Sequence, residues 1–296
     1  MEWRNIILRI SVVVTTYNGK MHLEKQLLSL LQQERAPDEV LIFDDGSTDG
    51  TIELVQSFIR KNCLESWQFY VNAKRKGWKQ NFMEGLRKAA GDILFPCDQD
   101  DIWYPKKLAE MTAVMEQHPE IKLLACDYRV LYEPGAIKAT VYKKTPAETQ
   151  GLITRYGFTR HFFMNPYPGC TYAVRRDFFD AVKELWFDGS PHDEFLWLMA
   201  AVQDGAWFYN RVLMDYVRYS DNASGVRYKD VALQKENLRY IHKQLCALQS
   251  FAAEHPDAVP VERGKMLAAA QIWGAKRQKH RETRRPLRWL ARAPWW

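Results

Sequence analysis

Two carboxylates separated by one residue, Asp98 and Asp100, lie in the segment CDQDD directly after an apolar run. Carboxylate oxygens are ligands that Mg²⁺ and Mn²⁺ prefer, and these ions bind through few protein carboxylates when phosphates complete the coordination shell. The neighbouring Asp101 also suits the cap of a following helix with Pro105 in its first turn, and this role is compatible with metal binding nearby. The segment therefore predicts a site for a divalent cation that carries a phosphate group.

A second acidic segment, DDGSTDG, begins at Asp44. Acidic residues do not cradle a phosphate, but they accept hydrogen bonds from a base N–H or from ribose hydroxyls in nucleotide-binding folds. Asp44 or Asp45 is therefore predicted to contact a nucleoside. The residues Ser47–Gly50 are turn formers, and they are predicted to form a turn and the cap of a helix.

Both acidic segments follow predicted strands of an alternating β-α pattern. Apolar, β-branched runs predict buried strands, and apolar residues at helical spacing predict the helices between them. Such alternation implies a parallel sheet with helices on both faces, whose carboxyl edge binds ligands. Five acids would repel one another at this edge unless a cation lay among them. The predicted strands are Ile10–Val14, Val40–Phe43, Trp67–Val71 and Ile93–Pro96, and the predicted helices are Met21–Gln32, Thr51–Lys61, Lys79–Ala90 and Pro105–Gln117.

The second half of the chain has a less regular pattern. Short apolar runs predict further strands there, and longer periodic segments predict helices. The segment Lys138–Gly157 has little periodicity and is predicted to be a loop or a hairpin. The predicted strands are Leu123–Tyr132, Cys170–Val174, Trp207–Tyr209 and Val212–Arg218, and the predicted helices are Asp177–Leu185, Phe195–Val202, Val231–Ala253 and a last one from Val261.

Composition narrows the class of protein further. The chain has 296 residues, is 47% hydrophobic and 26% charged, and so predicts a globular fold rather than a disordered or fibrous one. Its most apolar stretch, Ile6–Val14, is interrupted by Arg9 and is far shorter than a membrane span. The N-terminus has no signal-peptide pattern, and the five scattered cysteines contain no C-x-x-C pair, which favours a reduced, cytosolic protein.

The net charge of +6 is concentrated in the C-terminal tail, because residues 276–296 contain eight basic residues and one acidic residue. Trp289, Trp295 and Trp296 lie among these arginines. Trp prefers the headgroup level of a bilayer and Arg meets lipid phosphates, so the tail predicts contact with an anionic membrane surface. A solvated, frayed tail is the alternative, and no nucleic-acid partner is expected.

Seven short segments occur in a fixed order along the chain. They are TTYN at Thr15–Asn18, DDGSTDGT, the Asn72, Gly77 and Asn81 spacing, DQDDIWYPKKL, Pro168–Cys170, His192–Glu194 and YVRYSDNASG. Together, these segments resemble the inverting family 2 glycosyltransferases with the GT-A fold, in particular their bacterial O-antigen and rhamnosyltransferase-like branch. The resemblance covers roughly residues 8–225. It departs from the family's commoner Tyr-Arg-x-His pattern at Tyr216-Val217-Arg218, with Ser220 in place of the His, which leaves a diphosphate contact by Arg218 open.

The resemblance implies roles for individual residues. Asp193 matches the general base, and Glu194 is the second choice for this role. His192 stands where the family more often has an acid, and it is either a third metal ligand or a phosphate contact. The alternative for this segment is a helix N-terminus in which acids favour the helix dipole. The implied donor-binding residues are Thr15, Tyr17, Asp44, Asp45, Lys76, Lys79 and Asp98, and the implied metal ligands are Asp98, Asp100 and His192.

The family also implies a fold and a reaction. The fold would be α/β of the GT-A type, with a mostly parallel, Rossmann-like sheet flanked by helices in residues 1–225 and with C-terminal helices and the basic tail in residues 226–296. The reaction would be Mn²⁺- or Mg²⁺-dependent transfer, with inversion, of a sugar from a UDP-, dTDP- or GDP-linked donor. The acceptor would be a glycan or an undecaprenyl-diphosphate-linked saccharide at the inner face of the cytoplasmic membrane, in O-antigen or capsule synthesis.

Two other functions stay open at this stage. A nucleotidyltransferase of sugar phosphates also pairs acids after strands, but it needs a Gly-rich, basic loop where this chain has TTYNGK. A non-catalytic scaffold that binds a nucleotide or a carbohydrate would bind without turnover. Such a scaffold would be indifferent to replacement of Asp193 by Asn.

Overall fold

The fold begins with the predicted alternation of strands and helices. A computed structural model of the protein describes residues 7–136, 149–156, 167–219, 231–260, 263–265 and 267. The β-branched run of the first strand is buried along its whole length, as expected for the centre of a sheet. The elements are β1 (Ile10–Thr16), α1 (Lys20–Leu31), β2 (Glu39–Asp44), α2 (Thr51–Lys61), β3 (Trp67–Val71), α3 (Trp78–Lys88) and β4 (Ile93–Cys97).

The second half of the chain adds strands and helices of more varied length. Two short 3-10 turns, Gly169–Thr171 and Lys183–Leu185, interrupt it. The elements are β5 (Ile102–Trp103), α4 (Lys107–Gln117), β6 (Leu123–Tyr132), β7 (Ile153–Arg155), β8 (Tyr172–Arg175), α5 (Arg176–Val182), α6 (His192–Val202), β9 (Ala206–Arg218) and α7 (Val231–Glu254).

The strands form one mixed sheet in the order β3-β2-β1-β4-β8-β6-β9-β5, and β7 pairs with β9. The pairs β1–β2, β2–β3 and β1–β4 are parallel, which confirms the parallel sheet predicted for the first half. Beyond β4, most pairs are antiparallel, and only β6–β9 is parallel among the described strands. The carboxyl ends of β1, β2, β3 and β4 therefore meet at one edge, where ligands bind in such sheets.

Strand β9 differs from its prediction. The sequence analysis predicted two strands, Trp207–Tyr209 and Val212–Arg218, because the polar pair Asn210-Arg211 reads as a turn. The structure has one continuous strand, Ala206–Arg218. Its pairing with β6 shifts register between Cys126 and Asp127, so a bulge accommodates the polar pair without ending the strand. Within Lys138–Gly157, the described part contains β7, which pairs with β9, and residues 137–148 lie outside the described residues.

Helices cover both faces of the sheet, and a hydrophobic cluster lies on each face. One cluster joins α6 to the C-terminal part of the chain through Leu245, Leu248 and Phe251 of α7. The predicted boundary at residues 225 and 226 and the basic tail at 276–296 lie outside the described residues. No helix in the described part of the chain is long and apolar enough to cross a membrane.

Candidate active site

The loop after β1 is tied to the loops after β2 and β4. The Thr16 hydroxyl donates to Asp44 Oδ2 at 2.7 Å, and the Tyr17 N–H donates to Gln99 Oε1 at 2.9 Å. A side chain at Gly19 would place its Cβ 2.2 Å from Gln99 Oε1 and would displace the Gln99 side chain from this position. These contacts bring Tyr17, predicted to bind the donor, to the same edge as the D-x-D segment. The predicted donor contact Thr15, at the end of β1, is 7% exposed.

Asp44 is fully engaged in shaping its own turn. Its Oδ1 accepts the N–H groups of Gly46 and Ser47 at 3.0 and 2.7 Å. Its Oδ2 accepts the hydroxyls of Thr16 and Ser47 at 2.7 and 2.6 Å. Because a carboxylate offers about four lone-pair sites, these four donors occupy Asp44 completely. The geometry therefore favours Asp45 over Asp44 as a nucleoside contact.

Asp45 organises the segment that follows β3. Its Oδ1 accepts from Asn72 Nδ2 at 3.1 Å and from the Lys76 N–H at 2.7 Å, while Oδ2 accepts the Gly77 N–H at 2.8 Å. Oδ2 keeps the capacity to accept one further donor. Arg75, which the sequence analysis did not single out, places its guanidinium 3.9 Å above the Tyr17 ring and its Nε 3.9 Å from Asp45 Oδ2.

The two lysines predicted to meet a diphosphate lie in different surroundings. Lys76, which precedes α3, has its Nζ 2.5 Å from Glu84 Oε2 and so forms an ion pair with this residue of α3. Lys79 Nζ donates to the Gly189 carbonyl at 2.7 Å, and its charge partly offsets the burial that raises the pKa values of Asp193 and Glu194. The structure therefore brings Lys79, rather than Lys76, to the acidic pair on α6.

The D-x-D segment forms the acidic centre of the site. Among the described residues, ligand atoms of Asp98, Asp101 and Cys170 lie within 4.8 Å of one another. Burial, followed by the charges of Asp100 and Asp193, raises the pKa of Asp98 from 3.8 to about 7. Burial likewise raises the pKa of Asp101 well above its ordinary value. Asp101 accepts the Val217 N–H at 3.2 Å and does not cap α4, which begins at Lys107.

The donor chemistry of this group fits a hard divalent cation. Burial, and then the charge of Asp101, raises the pKa of the Cys170 thiol, which therefore stays protonated. The carboxylate oxygens of Asp98 and Asp101 are then the charged donors, and such oxygens suit Mn²⁺ and Mg²⁺. A cation would offset both the burial and the mutual repulsion that raise the pKa values of these acids.

Asp100 points to a different set of partners. The Tyr219 hydroxyl donates to Asp100 Oδ2 at 2.8 Å, and the Tyr219 ring stacks on His22 with ring centres 4.3 Å apart. Burial raises the pKa of Asp100, whereas this hydrogen bond lowers it. Among the described residues, neither Asp100 nor His192 belongs to the group of three ligand atoms formed by Asp98, Asp101 and Cys170. Tyr219 lies in the segment YVRYSDNASG, so the resemblance marked its position but not its role.

A buried lysine provides the positive charge beside this acidic centre. The Lys107 ammonium donates to the Cys170 carbonyl at 2.5 Å and lies 3.6 Å above the Trp103 ring. Its charge lowers the pKa of Asp98, which burial raises. The sequence analysis quoted this residue only within DQDDIWYPKKL. Its proximity to Cys170 joins positions far apart in the chain, which explains why sequence patterns gave no sign of it.

Asp193 lies in the first turn of α6, facing the acidic centre. Its charge raises the pKa of Asp98, and burial raises the pKa of Asp193 itself. Its Oδ1 accepts the Glu194 N–H at 2.9 Å. A Cβ at Gly169 would lie 3.0 Å from the Asp193 Cβ. Glycine at this position therefore lets the 3-10 turn Gly169–Thr171 pack against α6. This packing brings Asp193 close to Asp98.

His192 is buried among aromatic rings. Its ring stacks on Phe82 with centres 4.1 Å apart and meets the Trp78 ring edge-on at 6.1 Å. Burial lowers its pKa to about 3, so the imidazole is neutral near pH 7. Neither ring nitrogen has a hydrogen-bond partner within the part of the chain that the structure describes. A metal or phosphate role for His192 stays a prediction.

The raised pKa of Asp98 gives a sign to the pH dependence of stability. Between about pH 4 and 7 the folded protein keeps a proton that the unfolded chain releases, so the metal-free protein is expected to lose stability as pH rises through this range. As the pH rises through this range in EDTA, the midpoint of thermal unfolding should fall by several degrees more in the wild type than in the Asp98→Asn protein. Mn²⁺ should raise the wild-type midpoint more at pH 8 than at pH 5. Parallel curves for the two proteins would contradict this assignment.

The chain is similar to known proteins over much of its length. The family profile described as "Glycosyl transferase family 2" matches residues 11–179. The chain is 23% identical over 293 residues to the dTDP-rhamnosyl transferase RfbG of Shigella flexneri, which covers 90% of the chain and 95% of RfbG. It is 28% identical over 155 residues to the poly(ribitol-phosphate) beta-N-acetylglucosaminyltransferase TarS of Staphylococcus aureus, which covers 52% of the chain and 26% of TarS.

Solved structures share the fold. A structure of S. aureus TarS 1–349 in complex with UDP-GlcNAc matches with a TM-score of 0.62 at 18% identity, covering 90% of this chain and 81% of that one. The mannosyltransferase PcManGT from Pyrobaculum calidifontis, in complex with GDP-Man and Mn²⁺, matches with a TM-score of 0.51 at 16% identity over 90% of this chain and 81% of that one. The predicted α/β fold of the GT-A type is thus confirmed.

Proposed function

The chain belongs to glycosyltransferase family 2, and from this premise we propose that it is an inverting, metal-dependent enzyme that transfers a sugar from a nucleotide-sugar donor. The observation that carries the proposal is the approach of Asp193 to Asp98, close enough for one charge to raise the pKa of the other. A carboxylate that would bind the cation and a carboxylate that would act as the base thereby lie close together. Inverting transfer needs both groups near the anomeric carbon.

The donor would lie across the edge formed by the loops after β1, β2 and β4. The Tyr17 ring and Asp45 would contact the nucleoside, and the contacts of Arg75 with both of them support this assignment. Asp98 and Asp101 would hold the cation, together with Asp100 if Tyr219 releases it. A bound divalent cation would neutralise the diphosphate and so improve it as a leaving group.

The acceptor hydroxyl would be activated by Asp193. Its raised pKa brings the carboxylate closer to the working range of a general base at neutral pH. Asp193 would take the hydroxyl proton as the oxygen attacks the anomeric carbon opposite the diphosphate, which inverts that centre. Lys79, held by the Gly189 carbonyl, faces the same acids and favours their charged form.

The relatives suggest which donor to test first. RfbG, which matches over nearly its whole length, is named for a dTDP-linked rhamnose donor. We therefore place a dTDP-linked deoxysugar ahead of UDP- and GDP-linked sugars. The acceptor we propose is a lipid-linked or glycan saccharide in bacterial surface polysaccharide synthesis. Residues 1–225 would form the catalytic unit, and residues 226–296 would form the C-terminal helices and the basic, Trp-rich tail. This tail would hold the catalytic unit on the inner face of the cytoplasmic membrane.

Donor hydrolysis by the full chain tests this proposal. UDP-, dTDP- and GDP-linked sugars would be incubated with Mn²⁺, with Mg²⁺ or with EDTA, and nucleoside diphosphate release would be measured. We expect one nucleotide class to be cleaved with Mn²⁺ or Mg²⁺ and EDTA to abolish cleavage. Addition of a suitable acceptor saccharide should then accelerate release of the nucleoside diphosphate. Binding of a nucleotide without turnover under all conditions would favour a non-catalytic scaffold, and metal-independent turnover would contradict the role of the acids.

A further inference from the structure

A tyrosine of the C-terminal helix reaches the acidic pair on α6. The Tyr240 side chain, on α7, forms a hydrogen bond with the Glu194 carboxylate. The Gln244 amide donates to the Tyr240 oxygen, and the Ser190 Oγ lies 3.4 Å from it. Because a phenol has one proton and the Gln244 amide already donates to its oxygen, the Tyr240 proton is directed at Glu194.

This network is buried, and Gln244 Oε1 has no hydrogen-bond partner within the part of the chain that the structure describes. Ser190 is 0% and Gln244 is 1% exposed, and the Gln244 amide also donates to Ser190 Oγ at 3.2 Å. The network spans from α7 to the segment that leads into α6. Buried hydrogen bonds of this kind fix the orientation of their members, because breaking one leaves a polar group without a partner.

Glu194 connects the network to Asp193. The Glu194 backbone N–H donates to Asp193 Oδ1 at 2.9 Å, so a shift of Glu194 moves a donor that holds the Asp193 carboxylate. Among the described residues, the charged groups that face Glu194 are Asp193 on α6 and Lys79 on α3, whereas Tyr240 is the contact from α7. Because its carboxylate accepts the hydrogen bond from Tyr240, the Glu194 side chain is held in place and does not turn toward the acceptor saccharide.

We propose that Tyr240 is a positioning residue that, through Glu194, orients Asp193 toward the acceptor hydroxyl; this inference rests on the proposed function of Asp193 as base. It assigns Glu194, the second choice for the base, to support of Asp193. It also gives the C-terminal helix a part in the reaction, in addition to the core that it shares with α6.

Kinetics of the full-length Tyr240→Phe protein test the inference. The phenyl ring keeps the packing and removes the proton, so we expect kcat for transfer to fall about 10-fold, with the donor KM within twofold of the wild type. Tyr209→Phe is the matched control, because the Tyr209 hydroxyl donates to Glu110 Oε2 at 2.9 Å in an equivalent Tyr–Glu pair away from the site. The control should keep the wild-type kcat. Thermal unfolding of both variants would show that the fold is retained.

A double-mutant cycle separates positioning through Glu194 from a general effect on α7. If Tyr240 acts through Glu194, Tyr240→Phe should cause no further loss of kcat in a Glu194→Gln background. Independent, multiplicative losses would overturn the inference, as would a wild-type kcat in Tyr240→Phe. Absence of turnover by the wild type with every donor would overturn the proposed function and this role together, whereas turnover that Tyr240→Phe leaves intact overturns this role alone.

Discussion

Replacement of Asp193 by Asn is expected to lower kcat for sugar transfer about 10³-fold, because an amide cannot accept the proton of the acceptor hydroxyl. Asn keeps the size of the side chain and one oxygen for the Glu194 N–H. Affinity for the nucleoside diphosphate should therefore change by no more than a few fold. The measurement is steady-state transfer with the preferred donor, paired with calorimetric titration of the nucleoside diphosphate.

The control for this variant is Asp188→Asn. Asp188 is an exposed acid in the segment before α6. Its replacement changes the net charge equally and should leave kcat within twofold of the wild type. If Asp193→Asn kept more than a tenth of wild-type kcat, Asp193 would not be the base. A large loss in Glu194→Gln alone would then assign the base to Glu194 and would also contradict the role of Tyr240.

The second large effect concerns Asp98. Asp98→Asn is expected to lower kcat by about 10²- to 10³-fold, because it removes a charge that would hold the cation against the diphosphate. Part of the loss should be recovered at higher Mn²⁺ concentration, since a weakened site still binds when the ion is abundant. The same loss should appear in hydrolysis and in transfer. This pattern differs from Asp193→Asn, which acts on the acceptor.

Asp92→Asn is the control for this variant, because Asp92 and Asp98 lie at opposite ends of β4. Asp92 precedes β4 and accepts the Arg9 N–H at 2.8 Å, a bond that Asn can keep. It should have wild-type kcat and the wild-type Mn²⁺ requirement. An Asp98→Asn protein with an unchanged Mn²⁺ requirement would show that the cation, if it acts, is held elsewhere, and Asp100 would become the first alternative.

Much of the site could be predicted because its signals are local. The buried run of β1 and the acids after β2 and β4 each lie within a few residues, and a parallel sheet necessarily brings the ends of such strands to one edge. The approach of Asp193 to Asp98 spans 95 positions and came from the family resemblance alone, since no periodicity links those segments.

Other features lie beyond what a sequence pattern can show. Asp44 and Asp45 are adjacent residues of the same type, so the sequence does not distinguish them. Only the hydrogen bonds show that the Asp44 carboxylate is fully engaged and that the Asp45 carboxylate can accept one further donor. The sequence predicts two strands in place of β9, because the polar pair Asn210-Arg211 suits a turn as well as a bulge. The contact of Tyr240 with Glu194 depends on how α7 packs on α6, and side-chain packing between distant helices leaves no local pattern.

The most direct test of the account is calorimetric titration of the wild-type chain with UDP, dTDP and GDP, in Mn²⁺ and in EDTA. We predict that one nucleoside diphosphate binds in Mn²⁺ with one site per chain, and that EDTA weakens this binding at least 10-fold. That result would place a metal–diphosphate site on the acidic edge and would identify the nucleoside that the site accepts. Equal binding with and without metal, or binding of none of the three nucleotides, would contradict the account.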